Sequence, residues 1–419
     1  MKLFLASLGC DKNLVDSEKL LGRFIEQGYT LTDDEYEADV IVINTCAFIH
    51  DAKEESIDTI LEMAEHKKDG NLKKLIVTGC LSERYKDEFK KELPEVDEII
   101  PMKELFNIKA DRIISTPGHY AHLKIAEGCN KNCAYCVIPS IRGKYVSYPM
   151  EDLVKEAEGL VSRGVKELIL VAQETTMYGV DLYGKKSLHI LLNKLSKIEG
   201  LKWIRIMYCY PEEIYDELIE EIKTNEKVCH YIDMPIQHAS DEVLRNMNRR
   251  TNKAELTERI NKLREEIPDI VLRTTLICGF PGETEENHKE LKDFVKTIKF
   301  DRLGVFTFSP EEGTKAYDMD NQIEEDVKVK YKDDIMSVSE KVIAKKGKER
   351  IGKTFTCIVE GKVPDEDTYI ARSYMDAPDI DGYVFFECDH ELLTGAFVEV
   401  KITGASEYDL LGELKNELT

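Results

Sequence analysis

Short apolar runs rich in β-branched residues alternate with segments of helical periodicity along most of this 419-residue chain. In the first hundred residues, LFLASLG, DVIVINT and LIVTG are each followed by a segment of helical pattern. Such repeats fold as parallel sheets covered by helices, because parallel strands need a long crossover between them. The sequence therefore predicts an α/β fold that begins with a parallel α/β domain over residues 1–118.

A second series of strand–helix units begins near residue 119. Its predicted strands are HLKIAEG, ELILVAQE, WIRIMYCY, YIDMPIQH, LRTTLICGF and LGVFTFSP. This series is shorter than the usual eight units and indicates a partial (β/α) barrel over residues 119–350. Residues 321–350 are rich in Lys and Glu and predict a helix that bridges to the next domain. Active sites on such folds lie at the carboxyl ends of the strands.

The pattern changes after residue 350. Short strand signals broken by Gly, Pro and Asp predict a small all-β barrel or sandwich over residues 351–419. At the other end of the chain, the apolar stretch of residues 3–8 is too short for a signal peptide and is soon followed by charged residues. No apolar run approaches the ~18 residues of a membrane span. We therefore expect a cytosolic protein with no membrane partner.

Three of the eleven cysteines form a C-x3-C-x2-C motif directly after the first barrel strand: Cys129, Cys133 and Cys136. Disulfides are rare in the cytosol, so clustered cysteines there indicate a metal ion or an iron–sulfur cluster. A 4Fe–4S cluster usually takes four cysteines, and three would leave one iron open. The alternative is a structural zinc site that a distant Cys or His completes.

Three other cysteines each directly follow a predicted strand of the first domain: Cys10, Cys46 and Cys80. They are about one strand–helix unit apart. Parallel strands end at the same edge of a sheet, so the three thiols can converge there and ligate a second cluster. The alternative is that each is a small buried core residue, as free cysteines often are.

The C-x3-C-x2-C motif, with Tyr135 before its last cysteine, resembles that of the radical S-adenosylmethionine (SAM) superfamily. In that superfamily the open iron binds SAM, and reductive cleavage of SAM gives a 5′-deoxyadenosyl radical. An N-terminal α/β domain with three cysteines, this motif on a barrel and a small β domain together resemble the methylthiotransferase family. The resemblance implies two 4Fe–4S clusters, a TRAM domain, and two uses of SAM, as methyl donor to sulfur and as radical source.

Two branches of that family have different substrates: an adenosine of tRNA, or the β-carbon of an aspartate in the twelfth protein of the small ribosomal subunit. SLGCDKNLVDSE, MPIQHASDEVLRNMNR and MDAPDIDGYV resemble the ribosomal-protein branch. The formal net charge of −23 also argues against nucleic acid as substrate and favours a basic ribosomal protein. In the acidic region 351–419, we expect Asp376, Asp379 and Asp381 to attract that protein.

Contacts with SAM are expected at the mouth of the barrel. The candidates are Tyr135, Gln173, Glu174, Arg205 and Arg273. The sequence identifies no catalytic residue, and the basic residues of the segment 245–253 are expected to form a solvated helix face. The resemblance further implies a low-potential electron donor of the flavodoxin or ferredoxin type. Two alternatives stay open: a tRNA adenosine methylthiotransferase, and a non-enzymatic metal-cluster adaptor that binds ribosomes.

Overall fold

The computed structural model describes residues 1–418, in which separate sheets follow one another along the chain. The strands of the first sheet are β1 (Lys2–Ser7), β2 (Thr30–Leu31), β3 (Val40–Thr45), β4 (Lys74–Gly79) and β5 (Glu98–Ile99). The helices that connect and follow them are α1 (Asp11–Glu26), α2 (His50–Asp69), α3 (Cys80–Arg84), α4 (Lys86–Glu92) and α5 (Met102–Leu105).

All strand pairs of this first sheet are parallel, in the order β2-β1-β3-β4-β5. The central strand β3 is buried along its whole length, because apolar helix residues cover both faces of the sheet. The predicted parallel α/β fold of the N-terminal region is confirmed. The strands β1, β3 and β4 are neighbours in the sheet. Their carboxyl ends are followed by Cys10, Cys46 and Cys80, respectively.

The second sheet contains the barrel strands β6 (Tyr120–Lys124), β9 (Glu167–Val171), β10 (Trp203–Ile206), β11 (Val228–Asp233), β12 (Val271–Cys278) and β13 (Arg302–Thr307). The short strands β7 (Ala126–Glu127) and β8 (Val146–Ser147) pair with each other beside it. The helices of this region are α6 (Ile138–Ile141), α7 (Met150–Ser162), α8 (Val180–Tyr183), α9 (Leu188–Leu195), α10 (Asp216–Thr224), α11 (Asp241–Asn246), α12 (Lys253–Glu266), α13 (Glu285–Ile298) and α14 (Glu325–Arg350).

The barrel strands are parallel and lie in chain order from β6 to β13. The sheet stays open between β6 and β13, so the predicted partial barrel is confirmed. Alternate residues such as Leu168 and Leu170 face the outer helices and form the largest apolar core. Their neighbours, such as Ile169 and Val171, face the concave side and belong to a different core.

The C-terminal region, within the residues that the structure describes, is a closed barrel with the order β14-β15-β16-β18-β17. Its strands are β14 (Thr354–Lys362), β15 (Thr368–Ser373), β16 (Val384–Glu387), β17 (Phe397–Ser406) and β18 (Asp409–Leu418). The predicted small β domain is confirmed. Of the two predicted forms, a barrel or a sandwich, the structure has the barrel. The predicted strands of this region, TFTCIVEGK, YIARSY, YVFFEC and FVEVKITGAS, do not include β18, because DLLGELKNEL carries charged residues along its exposed face.

A buried network of charges joins the N-terminal region to the barrel. Lys124, the last residue of β6, donates a hydrogen bond to Asp16 on α1 and forms an ion pair with Glu127. Arg142 donates to Glu127 (3.0 Å) and to Asp16 (3.3 Å). These four side chains are at most 4% exposed, so each charge depends on its partners. The network holds α1 against β6, with Cys10 directly before the helix.

The C-terminal barrel packs against the amino-terminal half of the barrel strands. Trp203 of β10 meets Phe397 of β17 edge to face, with 4.9 Å between ring centroids. Glu167, the first residue of β9, is fully buried between Arg205 and Arg372, with bonds of 2.7 Å to each guanidinium. The two guanidinium groups lower the pKa of Glu167 to about 2, against the effect of burial. This contact closes the end of the barrel opposite the cysteine motif.

The expectation that Asp376, Asp379 and Asp381 attract a partner is wrong for two of the three. Asp376 is fully buried and forms an ion pair with Arg302 of β13. The Asp381 side chain is 2% exposed, accepts a hydrogen bond from the Tyr231 hydroxyl (2.7 Å) and faces Arg273 (3.5 Å). Asp379 is exposed. The net charge of the region includes all three acids, but Asp376 and Asp381 form ion pairs with arginines of the barrel and are not available to a partner.

None of the helices described in residues 1–418 is long and apolar enough to cross a membrane.

Replacing Asp376 with Ala should destabilise the protein by about 3–5 kcal/mol, because the buried guanidinium of Arg302 would lose its partner. Asp379→Ala is the matched control. Asp379 lies on the same loop but is exposed, and it accepts a hydrogen bond from the Tyr120 hydroxyl (2.9 Å), so the loss should be about 1 kcal/mol. Thermal unfolding of both variants measures the difference. Equal unfolding midpoints would contradict the role of Asp376 as a tether between domains.

Candidate functional site

The C-x3-C-x2-C segment forms a loop at the carboxyl end of the barrel strands. Cys129 and Cys133 are buried, and Cys136 is half-buried. The loop is fixed by backbone hydrogen bonds of Ala134 to Met247 (2.9 Å) and from Ala316 (2.8 Å). Burial raises the pKa of the Cys129 thiol to about 11 and that of Cys136 to about 12. Without a metal these thiols stay protonated at neutral pH, and metal binding would displace their protons.

Polar atoms without a hydrogen-bond partner in residues 1–418 surround this loop. Gln173 Oε1, Glu174 Oε2 and Gln237 Oε1 follow the carboxyl ends of barrel strands, and Arg249 Nε and Nη1 lie in the turn after α11. Burial raises the pKa of Glu174 to about 8, and the charge of this carboxylate acts on the Cys129 thiol. Buried polar atoms of proteins are rarely left unpaired, so this set indicates a polar ligand beside the cysteines. The residues fit a cluster with SAM bound to it.

Arg249 and Tyr210 belong to this site although the sequence analysis did not select them. The Tyr210 hydroxyl lies 3.5 Å from Cys133 Sγ, and the Arg249 guanidinium lies 4.1 Å from the Tyr210 ring centroid. Arg249 is 6% exposed, so its expected place on a solvated helix face is wrong. It lies three residues after the end of α11, in a turn that brings its side chain onto the Tyr210 ring. The available signal was its position in the segment MPIQHASDEVLRNMNR, which carried the family resemblance.

Cys10, Cys46 and Cys80 converge at the carboxyl edge of the first sheet. Cys10 is exposed, whereas Cys46 and Cys80 are buried. Burial raises the pKa of Cys46, and it raises that of Cys80 to about 12. Arg142 lies 3.9 Å from Cys80 Sγ and opposes this shift. A guanidinium this close would stabilise the thiolate charge of a bound cluster.

Two glycines allow the backbone to bring these cysteines together. Gly9 has φ +86°, and a Cβ atom added to it would lie 2.8 Å from Cys46 Sγ. Gly79, directly before Cys80, has φ +96°, and an added Cβ would lie 2.4 Å from Asn44 Oδ1. Residues with a side chain are disfavoured at such φ values and would also collide here. The glycines before Cys10 and Cys80 are therefore part of the site.

The two cysteine sites are neighbours. The segment 208–210 contacts both: Tyr210 lies at Cys133, while the Tyr208 hydroxyl donates to Asp11 (3.2 Å), the residue after Cys10. Two residues of extended chain span at most about 7 Å. Arg142, close behind the barrel motif in sequence, reaches Cys80. These contacts connect both sets of thiols to the mouth of the barrel.

The candidate SAM contacts divide into two groups. Tyr135, Gln173 and Glu174 lie around the C-x3-C-x2-C loop, and the charges of Cys133 and Arg249 act on the Tyr135 hydroxyl. Arg205 lies at the opposite end of the barrel, fully buried between Glu167 and the Tyr374 carbonyl. Arg273 pairs with Asp233 (2.7 Å) and Asp381. Arg205 and Arg273 therefore connect the barrel to the C-terminal β domain, and we do not propose them as SAM ligands.

Comparison with known proteins gives the family. Family models match in the order of the three regions: Uncharacterized protein family UPF0004 over residues 2–101, the Radical SAM superfamily over 123–295 and the TRAM domain over 351–414. The ribosomal protein uS12 methylthiotransferase RimO of Lachnoclostridium phytofermentans is 55% identical, across 98% of this chain and 99% of that protein. The chain belongs to the RimO methylthiotransferase family. RimO of Clostridioides difficile is 49% identical across 100% of both chains.

Solved structures agree on the fold of this RimO-family chain. The radical SAM methyltransferase TsrM of Kitasatospora setae, solved with cobalamin and a [4Fe-4S] cluster, superposes with a TM-score of 0.55 at 14% identity. The match covers 75% of this chain and 76% of TsrM. The predicted methylthiotransferase family, radical SAM fold and enzyme class are therefore confirmed. The ligand roles of the six cysteines stay predictions.

Replacing Gly9 with Ala should reduce the iron content of the reconstituted protein from about eight to about four atoms per chain. The added methyl group would displace Cys46 Sγ, and the barrel site would keep its iron. Gly28→Ala is the matched control, because Gly28 has nearly the same φ of +87° in the same domain but nothing within 4 Å of an added Cβ. Full iron content in the Gly9 variant would contradict the convergence of Cys10 and Cys46 on one cluster.

Proposed function

We propose that this enzyme adds a methylthio group to the β-carbon of an aspartate of ribosomal protein uS12. Relatives at 49–55% identity over essentially the whole chain carry the name of uS12 methylthiotransferases, which supports the substrate. The observation that carries the proposal is that Tyr208, Tyr210 and Arg142 connect the two sets of cysteines at the barrel mouth. A sulfur group held at one set would lie beside a radical generated at the other.

The metal ligands that we propose are Cys10, Cys46 and Cys80 for an auxiliary 4Fe–4S cluster, and Cys129, Cys133 and Cys136 for the cluster that binds SAM. Each set leaves one iron without a cysteine. When bound, these groups supply one-electron reduction, radical formation from SAM and transfer of a methyl group to sulfur. The chain itself contributes the thiolates and the neighbouring charges.

The residues around the barrel motif provide complementary groups for SAM. Glu174 is a buried carboxylate with an unpartnered oxygen beside Cys129, which suits the amino group of SAM. Arg249, with unpartnered Nε and Nη1 beside Cys133, suits its carboxylate. Gln173, Gln237 and Tyr135 offer further polar contacts at the same strand ends. Burial raises the pKa of Glu174, so an incoming ammonium group would restore its charge.

Charge supports a protein substrate over tRNA. The formal net charge of −23 repels phosphate, even though Asp376 and Asp381 are used inside the molecule. The electron donor that we propose is a small low-potential protein of the flavodoxin or ferredoxin type. We propose that the modification of uS12 takes place in the cytosol, where ribosomes are assembled.

The triple variant Cys10→Ala, Cys46→Ala, Cys80→Ala should still cleave SAM to 5′-deoxyadenosine under strong reductant but attach no sulfur to uS12. Only the barrel site has to contact SAM for this cleavage. The variant Cys133→Ala should do neither. Mass spectrometry of uS12 and of the nucleoside products measures both activities, with wild-type enzyme as reference.

The variant Cys388→Ala is the control for loss of a thiol outside both sites, and it should retain both activities. Loss of SAM cleavage in the folded N-terminal triple variant would contradict the division of labour. Methylthiolated adenosine in tRNA, with unmodified uS12 in the same incubation, would overturn the proposed substrate.

A further inference from the structure

Lys12 is a buried residue whose ammonium group has no carboxylate in direct contact. The residue is 6% exposed, and its Nζ lies 3.3 Å above the centroid of the Tyr208 ring. No carboxylate oxygen of residues 1–418 lies within 4.0 Å of this atom. Nearby buried cations differ in this respect, because Lys124 pairs with Asp16 and Arg142 pairs with Glu127.

An unpaired charge in the interior is strongly unfavourable, and an aromatic face offsets only part of its lost hydration. A lysine retained in such a place needs another source of negative charge. The carboxylate of Asp11 acts on this ammonium group only from beyond 4.0 Å, because it accepts the hydrogen bond of the Tyr208 hydroxyl (3.2 Å). An anion in direct contact with Nζ is therefore to be sought outside the folded chain.

The Tyr208 ring below Lys12 is held in place by a strained backbone. Tyr208 has φ +59°, a left-handed conformation that a bulky residue rarely adopts. Its N–H donates to Asp233 (3.1 Å) and its carbonyl accepts from the Thr175 N–H (3.1 Å), and these bonds hold the strained backbone. The strain turns the ring toward Lys12. Strained residues held by their neighbours concentrate at ligand sites.

The ammonium lies between the two cysteine sites. Lys12 is two residues after Cys10, and its partner Tyr208 is two residues before Tyr210, which contacts Cys133. A ligand that reaches Nζ thus lies near Cys10 and next to the segment 208–210, which contacts Cys133. This is the place where the substrate carbon has to be held if a sulfur group and a radical are to meet on it.

We propose that Lys12 binds the side-chain carboxylate of the target aspartate and so selects an acidic residue as substrate. This inference rests on the proposed function. The β-carbon of aspartate is bonded directly to its carboxylate, so fixing the carboxylate fixes the carbon that reacts. SAM is a second source of a carboxylate, but the unpartnered guanidinium atoms of Arg249 lie on the side of Cys133, whereas Lys12 lies on the side of Cys10.

The test compares the binding of two forms of recombinant uS12 to the reconstituted enzyme under anaerobic conditions. One form has the natural aspartate at the position that mass spectrometry identifies as modified, and the other has asparagine there. Wild-type enzyme should bind the aspartate form about tenfold more tightly, which is typical for a charge-assisted contact. Lys12→Met should bind both forms equally. This variant removes a buried charge at nearly constant volume, so we expect it to fold.

Three controls separate the alternatives. Lys12→Arg keeps the positive charge and should restore part of the preference. Lys19→Met removes another ammonium from α1, one that pairs with Glu156 (2.9 Å), and should keep the full preference. Binding of SAM alone, measured by equilibrium dialysis, should be unchanged in Lys12→Met.

A full preference for aspartate in Lys12→Met would overturn this inference and leave the proposed function standing. Loss of SAM binding would assign Lys12 to SAM, and loss of iron from the N-terminal site would make it a counter-charge of that cluster; either result overturns the inference. Wild-type enzyme that neither binds nor modifies uS12 would overturn the proposed function itself, and this inference with it.

Discussion

The buried ion network of Asp16, Lys124, Glu127 and Arg142 is the interaction on which the rest of the structure depends. Each charge in it is stable only with its partners, because together they are shielded from water. The network can therefore form in one arrangement of α1 against β6. Since Cys10 directly precedes α1 and Arg142 reaches Cys80, this arrangement also sets the distance between the two cysteine sites.

The C-terminal barrel completes the opposite end. It covers the amino-terminal half of the barrel strands with an apolar core around Trp203 and with buried ion pairs to Glu167, Arg302 and Arg273. Arg273 also holds Asp233, which accepts the N–H of Tyr208 at the mouth. A continuous line of polar contacts thus runs from Asp381 of the β domain to the ring under Lys12. With one end closed in this way, the proposed reaction takes place at the other end.

Much of this architecture follows from local sequence pattern. The alternation of strand and helix signals predicts both parallel sheets, and the position of Cys10, Cys46 and Cys80 after successive strands predicts their common edge. Pattern fails where the role of a residue depends on distant partners. Arg205 was expected to contact SAM and Asp381 to attract a partner, but both bind groups of another domain, and Arg249 enters the site through the turn after α11. Strand β18 was missed because its exposed residues are charged.

The central claim is that both clusters lie close enough to act on one substrate carbon. Electron paramagnetic resonance of the fully reduced enzyme tests it directly, because two paramagnetic clusters at short distance alter each other's spectrum. The account predicts a spectrum that differs from the sum of the spectra of two variants that each keep one cluster. A spectrum equal to that sum would show that the clusters are magnetically isolated and would contradict the shared active site.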